Sequence, residues 1–236
     1  MSKMNHSANL LIVEGEVDKK FIKRLCNQHG MSLVHVFPAT PEDLLSDGCG
    51  NGKSGVYQAL EDFLPNLADA SKPLKRLAII VDADQAKDGQ SFHTTFDTIT
   101  QRLKAFDYHF DNQASNDSSG LIFSHSDSGF NPIGVWIMPN NQEDGAIESW
   151  ISACIDPTKC DLFPHAQTVV NGLSTSFNRI FIGNKQAKAE VATWLAWQKS
   201  PSIGLYAAVS LLDSQSSEYK NLVTWLNYVF PEPPKH

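Results

Sequence analysis

The chain is short of cysteine and of positive charge, and each shortage excludes a class of function. Its four cysteines, Cys26, Cys49, Cys154 and Cys160, are dispersed without a C-x-x-C pair. Neither a zinc ribbon nor a dithiol redox motif is indicated, and reduced, packed thiols are expected. With 19 Lys and Arg against 26 Asp and Glu, the net charge of −7 argues against a protein that coats nucleic acid through a broad basic face. It leaves room for an acidic enzyme site bridged to phosphate by metal. The eight histidines form no H-x-H or H-E-x-x-H, so a histidine metal centre or a hydrolase triad has little support. No apolar run approaches the ~20 residues of a membrane span. The opening MSKMNHSAN lacks the basic, apolar, small-residue order of a secretory signal, and the expected compartment is the cytoplasm.

What is present is alternation. Apolar runs alternate with longer segments of helical period, the pattern of a parallel sheet covered by helices. Strands are predicted at 9–13, 32–37, 76–84 and 133–139, with a short one at 121–125 inside a loop spanning 107–132. The run RLAIIVDAD at 76–84 is continuously apolar and rich in β-branched residues before its acids, as suits a strand buried on both faces. Helices are expected over 16–29, with Val17, Phe21, Ile22 and Leu25 on one face, over 55–67 and 91–105, and from about 145 onward. These residues, 1–155, read as one α/β unit. Residues 156–236 change character, with helical period at 185–198 and 222–230, and are taken as a mainly helical extension on the same domain. Tryptophans 136, 150, 194, 197 and 225 fall on apolar faces and are expected in the core.

Residues 11–21, LIVEGEVDKKF, run from an apolar strand straight into Glu14, Glu16 and Asp18. Charges beside a core are costly unless something pairs with them. Two further acidic clusters follow strands in the same way: Asp82 with Asp84, and Asp144 with Glu148. In open parallel sheets, ligands sit outside the carboxyl ends of the strands, so the three clusters are expected to face one crevice. Asp82 and Asp84 are two apart, which in extended backbone points both the same way. Asp18, four residues after Glu14 across a strand-to-helix turn, can lean toward the same place. Oxygen ligands without His or Cys suit Mg²⁺ or Mn²⁺ rather than zinc, and a cation would relieve the mutual repulsion of the carboxylates. Two such ions would clamp the attacking and leaving oxygens of a phosphodiester displacement. Any one of these acids could instead be an ordinary turn or helix-capping residue.

LIVEGEVDKKFI and LAIIVDAD resemble the two signature segments of the Toprim domain, found in topoisomerases, bacterial primases, rRNA-maturing ribonucleases and OLD-family nucleases. The resemblance covers roughly residues 8–155 and implies a Toprim-like α/β fold: an open, mainly parallel sheet flanked by helices. It implies that Glu14 is a metal ligand or general acid/base and that Asp82 and Asp84 bind Mg²⁺. The segment PNNQEDGAIESWI is similar to the stretch that supplies further acids in OLD-type and stand-alone Toprim-like proteins, which implies Glu148 and, more distantly, Asp144. Here QAKDG delays the acid and glycine that often follow the D-x-D closely. The remaining ~80 residues are too few for the tyrosine-bearing breakage domain of a topoisomerase.

Cations are expected nearby. Lys185 and Lys188, three apart on one helical face, could stabilise charge building on phosphate or could be plain surface lysines. Lys19, in a basic run with Lys20, Lys23 and Arg24, could guide a phosphate backbone. The segment GCGNGKSG at 48–55 is one residue short of a Walker A spacing, and a loop over the site with Lys53 touching substrate is expected instead. The expectation is a Mg²⁺- or Mn²⁺-dependent nuclease or related phosphodiester-transfer enzyme acting on DNA or RNA. The alternative is a non-catalytic Toprim-like module that binds a partner such as an ATPase in a defence or maintenance system.

Overall fold

The computed structural model of the chain describes residues 8–39, 52–68, 71–84, 89–158, 160–173, 185–201 and 204–231. In chain order the elements are β1 (Asn9–Val13), α1 (Glu16–Gln28), β2 (Val34–Pro38), α2 (Gly52–Ala68), β3 (Arg76–Asp82) and α3 (Phe92–Lys104). Then come β4 (Tyr108–Phe110), α4 (Asn112–Ser118), β5 (Leu121–His125), β6 (Ile133–Met138) and α5 (Ile147–Ala153). The chain continues through α6 (Leu162–Gly172), α7 (Gln186–Ala196), a 3₁₀ segment (Leu205–Leu211) and α8 (Ser217–Val229). Among the described residues no helix is long and apolar enough to cross a membrane.

The strands form one six-stranded sheet in the order β2-β1-β3-β6-β5-β4. β2, β1, β3 and β6 run parallel, while β5 is antiparallel to both its neighbours. This is an open, mainly parallel α/β sheet flanked by helices. Side chains alternate cleanly between its faces. Leu11, Val13, Ala78, Ile80, Trp136 and Met138 pack with α1, α5, α7 and α8. Leu10, Ile12, Leu77, Ile79, Val135 and Ile137 pack with α2 and α3. Each such aliphatic side chain, fully buried, contributes about 1.5–3 kcal/mol. β1 leads outward to β2 and the chain then crosses back to β3, so the direction of travel along the sheet reverses at β1. Right-handed crossovers therefore place α1 and α2 on opposite faces, and a crevice opens between the carboxyl ends of β1 and β3.

Residues from beyond 156 enter the same core. Phe163, Val191, Trp194, Trp225 and Val229 share one buried cluster with Val13, Ile80 and Trp136. α8 lies so close to the sheet that a Cβ on Gly134 would meet Val229 Cγ2 at 2.4 Å and Trp225 Cζ2 at 3.0 Å.

Several sequence expectations need correction. Val17 is 57% exposed: it sits in the first turn of α1, where it faces an open groove also lined by Val191 and Leu205. Trp197 is 40% exposed, because α7 ends at Ala196 and the ring falls outside the last buried turn, beside His165. The expected loop at 107–132 contains β4 and α4 as well as β5. α4 is a polar heptapeptide, NQASNDS, nucleated by Asp111, which accepts a hydrogen bond from Ala114 N–H. The third strand ends at Asp82 rather than at 84. Burial pushes the Cys26 and Cys154 thiols up to about 12, as packed reduced cysteines require; Cys49 lies outside the described residues.

The contact of α8 with β6 has a direct test. Gly134→Ala is expected to cost about 1–3 kcal/mol by overpacking, read as a lowered urea midpoint at unchanged m-value. Wild-type stability would mean that α8 does not seat this tightly.

Candidate functional site

At the switch point, Glu14 follows the last residue of β1 and turns its carboxylate toward β3, where Oε1 accepts a hydrogen bond from Asp82 N–H at 2.8 Å. The crossing is possible because α2 begins with glycine: a Cβ on Gly52 would stand 2.9 Å from both Cβ and Oε2 of Glu14. Asp82 Oδ1 in turn accepts from Ile147 N–H at 3.1 Å, at the start of α5. The ends of β1 and β3 and the head of α5 are thus joined through two carboxylates.

Asp18 and Glu148 flank this pair on the α1 and α5 side. Asp18 Oδ2 accepts from Gly15 N–H at 3.0 Å, so it caps α1 as a helix-start acid should. Its charge also acts on Glu148 and Lys188. Glu148 is buried, and its Oε1 lies 3.6 Å from Lys188 Nζ at the start of α7. On the other side stands Asp84. The expected parallel aim of Asp82 and Asp84 does not hold, because the strand has ended and Asp84 takes a left-handed φ of 64°. Its carboxylate turns to Lys53 Nζ at 2.7 Å.

Lys53 belongs to the site, but from beneath it. Expected at the mouth of a loop, it instead occupies the first turn of α2 and is only 4% exposed. Its ammonium also donates to Ala83 O, Thr95 Oγ1 and Gln90 Oε1. A buried ammonium without such partners would be strongly destabilising; here it supplies a fixed positive charge to the acidic cluster.

Burial, with repulsion added to it, raises the proton affinity of Glu14, Asp18 and Asp82. Burial lifts Glu14 to about 7, against the Asp82 N–H bond and the Lys53 charge, with Asp18 and Asp84 adding repulsion. Burial, then the Glu148 charge, lifts Asp18 to about 6. Asp82 is pushed well above the ordinary carboxylate range, first by burial and then by Glu14, Asp18, Glu148 and Asp84 together. It is the hub on which the other four acids act.

A cleft of about 190 Å³ opens on this hub, lined by Asp82, Asp84, Glu148, Ser149, Lys185 and Lys188 among others. Lys185 and Lys188, at the head of α7, therefore meet Asp82, about a hundred residues earlier in the chain, and Glu148, about forty earlier. Lys19 is placed differently. One helical step past Asp18, and so about 100° around α1, it bonds Glu16 at 2.7 Å and does not line the cleft. Asp144 caps the neighbouring helix, its Oδ1 accepting from Phe92 N–H at 2.8 Å. Sequence reasoning missed Gly52, whose lack of a side chain admits Glu14, and Thr95 and Gln90, which hold Lys53. The only available signal was a Gly-Lys pair opening an amphipathic segment.

Among the described residues no three acidic, histidine or cysteine side chains form a ready-made metal cage. The acids are engaged singly, by backbone N–H groups and by lysine. Their donors are all oxygens, the ligand type that a hard divalent cation takes.

The proton affinities set the pH response. A carboxyl that holds its proton more tightly folded than unfolded stabilises the fold at low pH, and that contribution is lost as pH rises through its folded value. For Glu14 the window runs from 4.5 to about 7. In metal-free protein, Glu14→Gln should therefore gain stability relative to wild type between about pH 5 and about pH 8. Urea titrations across that range measure it; a constant difference would contradict the assigned surroundings of Glu14.

The family described as a protein of unknown function, DUF3226, matches residues 8–231, and the chain belongs to it. No curated protein and no solved structure matches the chain.

Proposed function

We propose that this DUF3226 family member is a Mg²⁺- or Mn²⁺-dependent, Toprim-type nuclease or related phosphodiester-transfer enzyme acting on nucleic acid in the cytoplasm. One observation carries the reading: Asp82 sits at the sheet's switch point with the charges of Glu14, Asp18, Glu148 and Asp84 all acting on it. A fold tolerates such repulsion where a cation is meant to enter.

Asp82, Asp84, Asp18 and Glu148 would hold the ion, with Glu14 beside them. When bound, it supplies Lewis-acid polarisation of a phosphodiester oxygen. Glu14 keeps one carboxylate oxygen fixed on Asp82 N–H, leaving the other to give or take a proton. A value of about 7 suits that task near neutral pH. Lys188 and Lys185 stand at the same cleft, where an ammonium stabilises charge building on a phosphate oxygen. Lys53 is spent on Asp84 and acts by positioning it. An ATPase remains a proposed partner on the resemblance alone.

Calorimetric titration with Mn²⁺ tests the centre. Wild type should bind, and Asp82→Asn should weaken binding at least about tenfold, as loss of a principal ligand would. Labelled single-stranded, duplex and structured DNA and RNA then test the chemistry. Lys188→Ala should retain Mn²⁺ binding and lose about 10²-fold in cleavage rate. Wild-type protein that binds Mn²⁺ yet yields no metal-dependent product from any substrate would overturn the nuclease reading in favour of a non-catalytic module.

A further inference from the structure

The acids at the switch point divide into two halves that share Asp82, and each half has its own lysine. On the α2 side Asp84 Oδ2 lies 2.7 Å from Lys53 Nζ, and the Lys53 charge also acts on Glu14. On the α5 side Glu148 Oε1 lies 3.6 Å from Lys188 Nζ, and the Lys188 charge also acts on Asp18. The two ammoniums are not equivalent. The Lys53 side chain is 5% exposed and that of Lys188 71% exposed. Besides Asp84, Lys53 donates to Ala83 O at 3.3 Å, Thr95 Oγ1 at 3.3 Å and Gln90 Oε1 at 3.4 Å. An ammonium has three N–H donors, so with four acceptors around it none is left for a substrate.

Stability is a poor reason to bury a lysine this deeply. An interior ion pair adds little over apolar side chains of the same volume, so the position calls for a charge as such. The ammonium also stands on ground that a metal would need. In two-ion centres the cations lie about 3.5–4 Å apart and clamp the same displacement, and an ion on the α2 side would have to draw on Glu14 and Asp84. Glu14 Oε1 is tied to Asp82 N–H and Asp84 Oδ2 to Lys53. A further cation there would meet the Lys53 charge with no water between to screen it. The α5 side is open. Glu148 is 6% exposed and lines the cleft, and its carboxylate accepts no hydrogen bond among the described residues, with the solvated Lys188 ammonium 3.6 Å away. A buried carboxylate without hydrogen bonds is costly, and it marks the half where a ligand is missing.

We propose that Lys53 is the built-in second cation of this centre, so that the site takes one divalent ion, on the Asp18, Asp82 and Glu148 side, and not two. The inference rests on the reading of the acidic cleft as a metal centre. Asp84 then has only Oδ1 to offer the ion, because Oδ2 is held by Lys53. Glu14, on the side that Lys53 fills, acts through its proton and not as a ligand. With one ion present, positive charge for the remaining phosphate oxygens has to come from the protein, and Lys188 is the solvated ammonium lining that cleft.

Counting bound Mn²⁺ by electron paramagnetic resonance tests this apart from turnover. The full chain at saturation should hold one ion, with the spectrum of an isolated centre and no exchange coupling. Glu148→Gln should weaken that ion at least about tenfold and leave no other tight site. Lys53→Gln, which keeps a polar side chain under Asp84 and removes the charge, should raise the count to two. Two coupled ions in wild type, an undiminished ion in Glu148→Gln, or a single ion in folded Lys53→Gln protein would each overturn the inference, and the first two decide it even where the Lys53 variant does not fold. Two ions in wild type would leave the metal-dependent reading standing. One ion without cleavage of any nucleic acid would retain the inference and remove the nuclease reading, while wild type that binds no Mn²⁺ would remove both.

Discussion

Every feature of the acidic centre depends on carboxylates being held close against their own repulsion, and the hydrogen bond from Asp82 N–H to Glu14 is where that constraint is met. It ties the end of β1 to the end of β3 at the point where the sheet reverses direction. A charged side chain is thereby fixed by a backbone group that cannot move without unravelling a central strand. A charge-assisted bond of this kind is worth roughly 1.5–3 kcal/mol, small beside the desolvation it accompanies. The remainder is met by an internal cation, Lys53, buried under Asp84 and bonded on every side.

The centre is consequently asymmetric. Lys53 serves the Glu14 and Asp84 side and is fixed, while Lys188 serves the Asp18 and Glu148 side, with its side chain 71% exposed. An ammonium locked in the fold compensates charge permanently; one on a solvated stem is available to an incoming phosphate. This division explains why two lysines so close in function have such different surroundings. It also makes α2 and α7, from opposite faces of the sheet, each supply a cation to one acidic cluster.

Much of this architecture was legible beforehand. β1, β3, β5 and β6 stand out as apolar, β-branched runs, and α1 and α3 through helical period. The carboxylates Glu14, Asp82 and Asp84 drew notice because charges directly after such strands need a reason. Val17 and Trp197 misled because helical period marks a face but not where the facing element stops. β4 and α4 were hidden because a three-residue strand and a polar heptapeptide carry no periodic signal; pairing to β5 and the Asp111 cap create them. Asp84 was misaimed because one left-handed residue cancels the alternation of a strand.

By itself, then, the sequence determined the layers, since hydrophobic alternation fixes what a strand or helix must bury, and it determined that oxygen ligands crowd the ends of particular strands. Tertiary structure alone decided how they are used. Lys53 went inward and Lys19 outward, Gly52 became the space for Glu14, and a polar stretch with no pattern of its own became β4 and α4. These outcomes depend on which backbone lies within hydrogen-bonding reach in three dimensions, and local patterning along the chain holds no record of that.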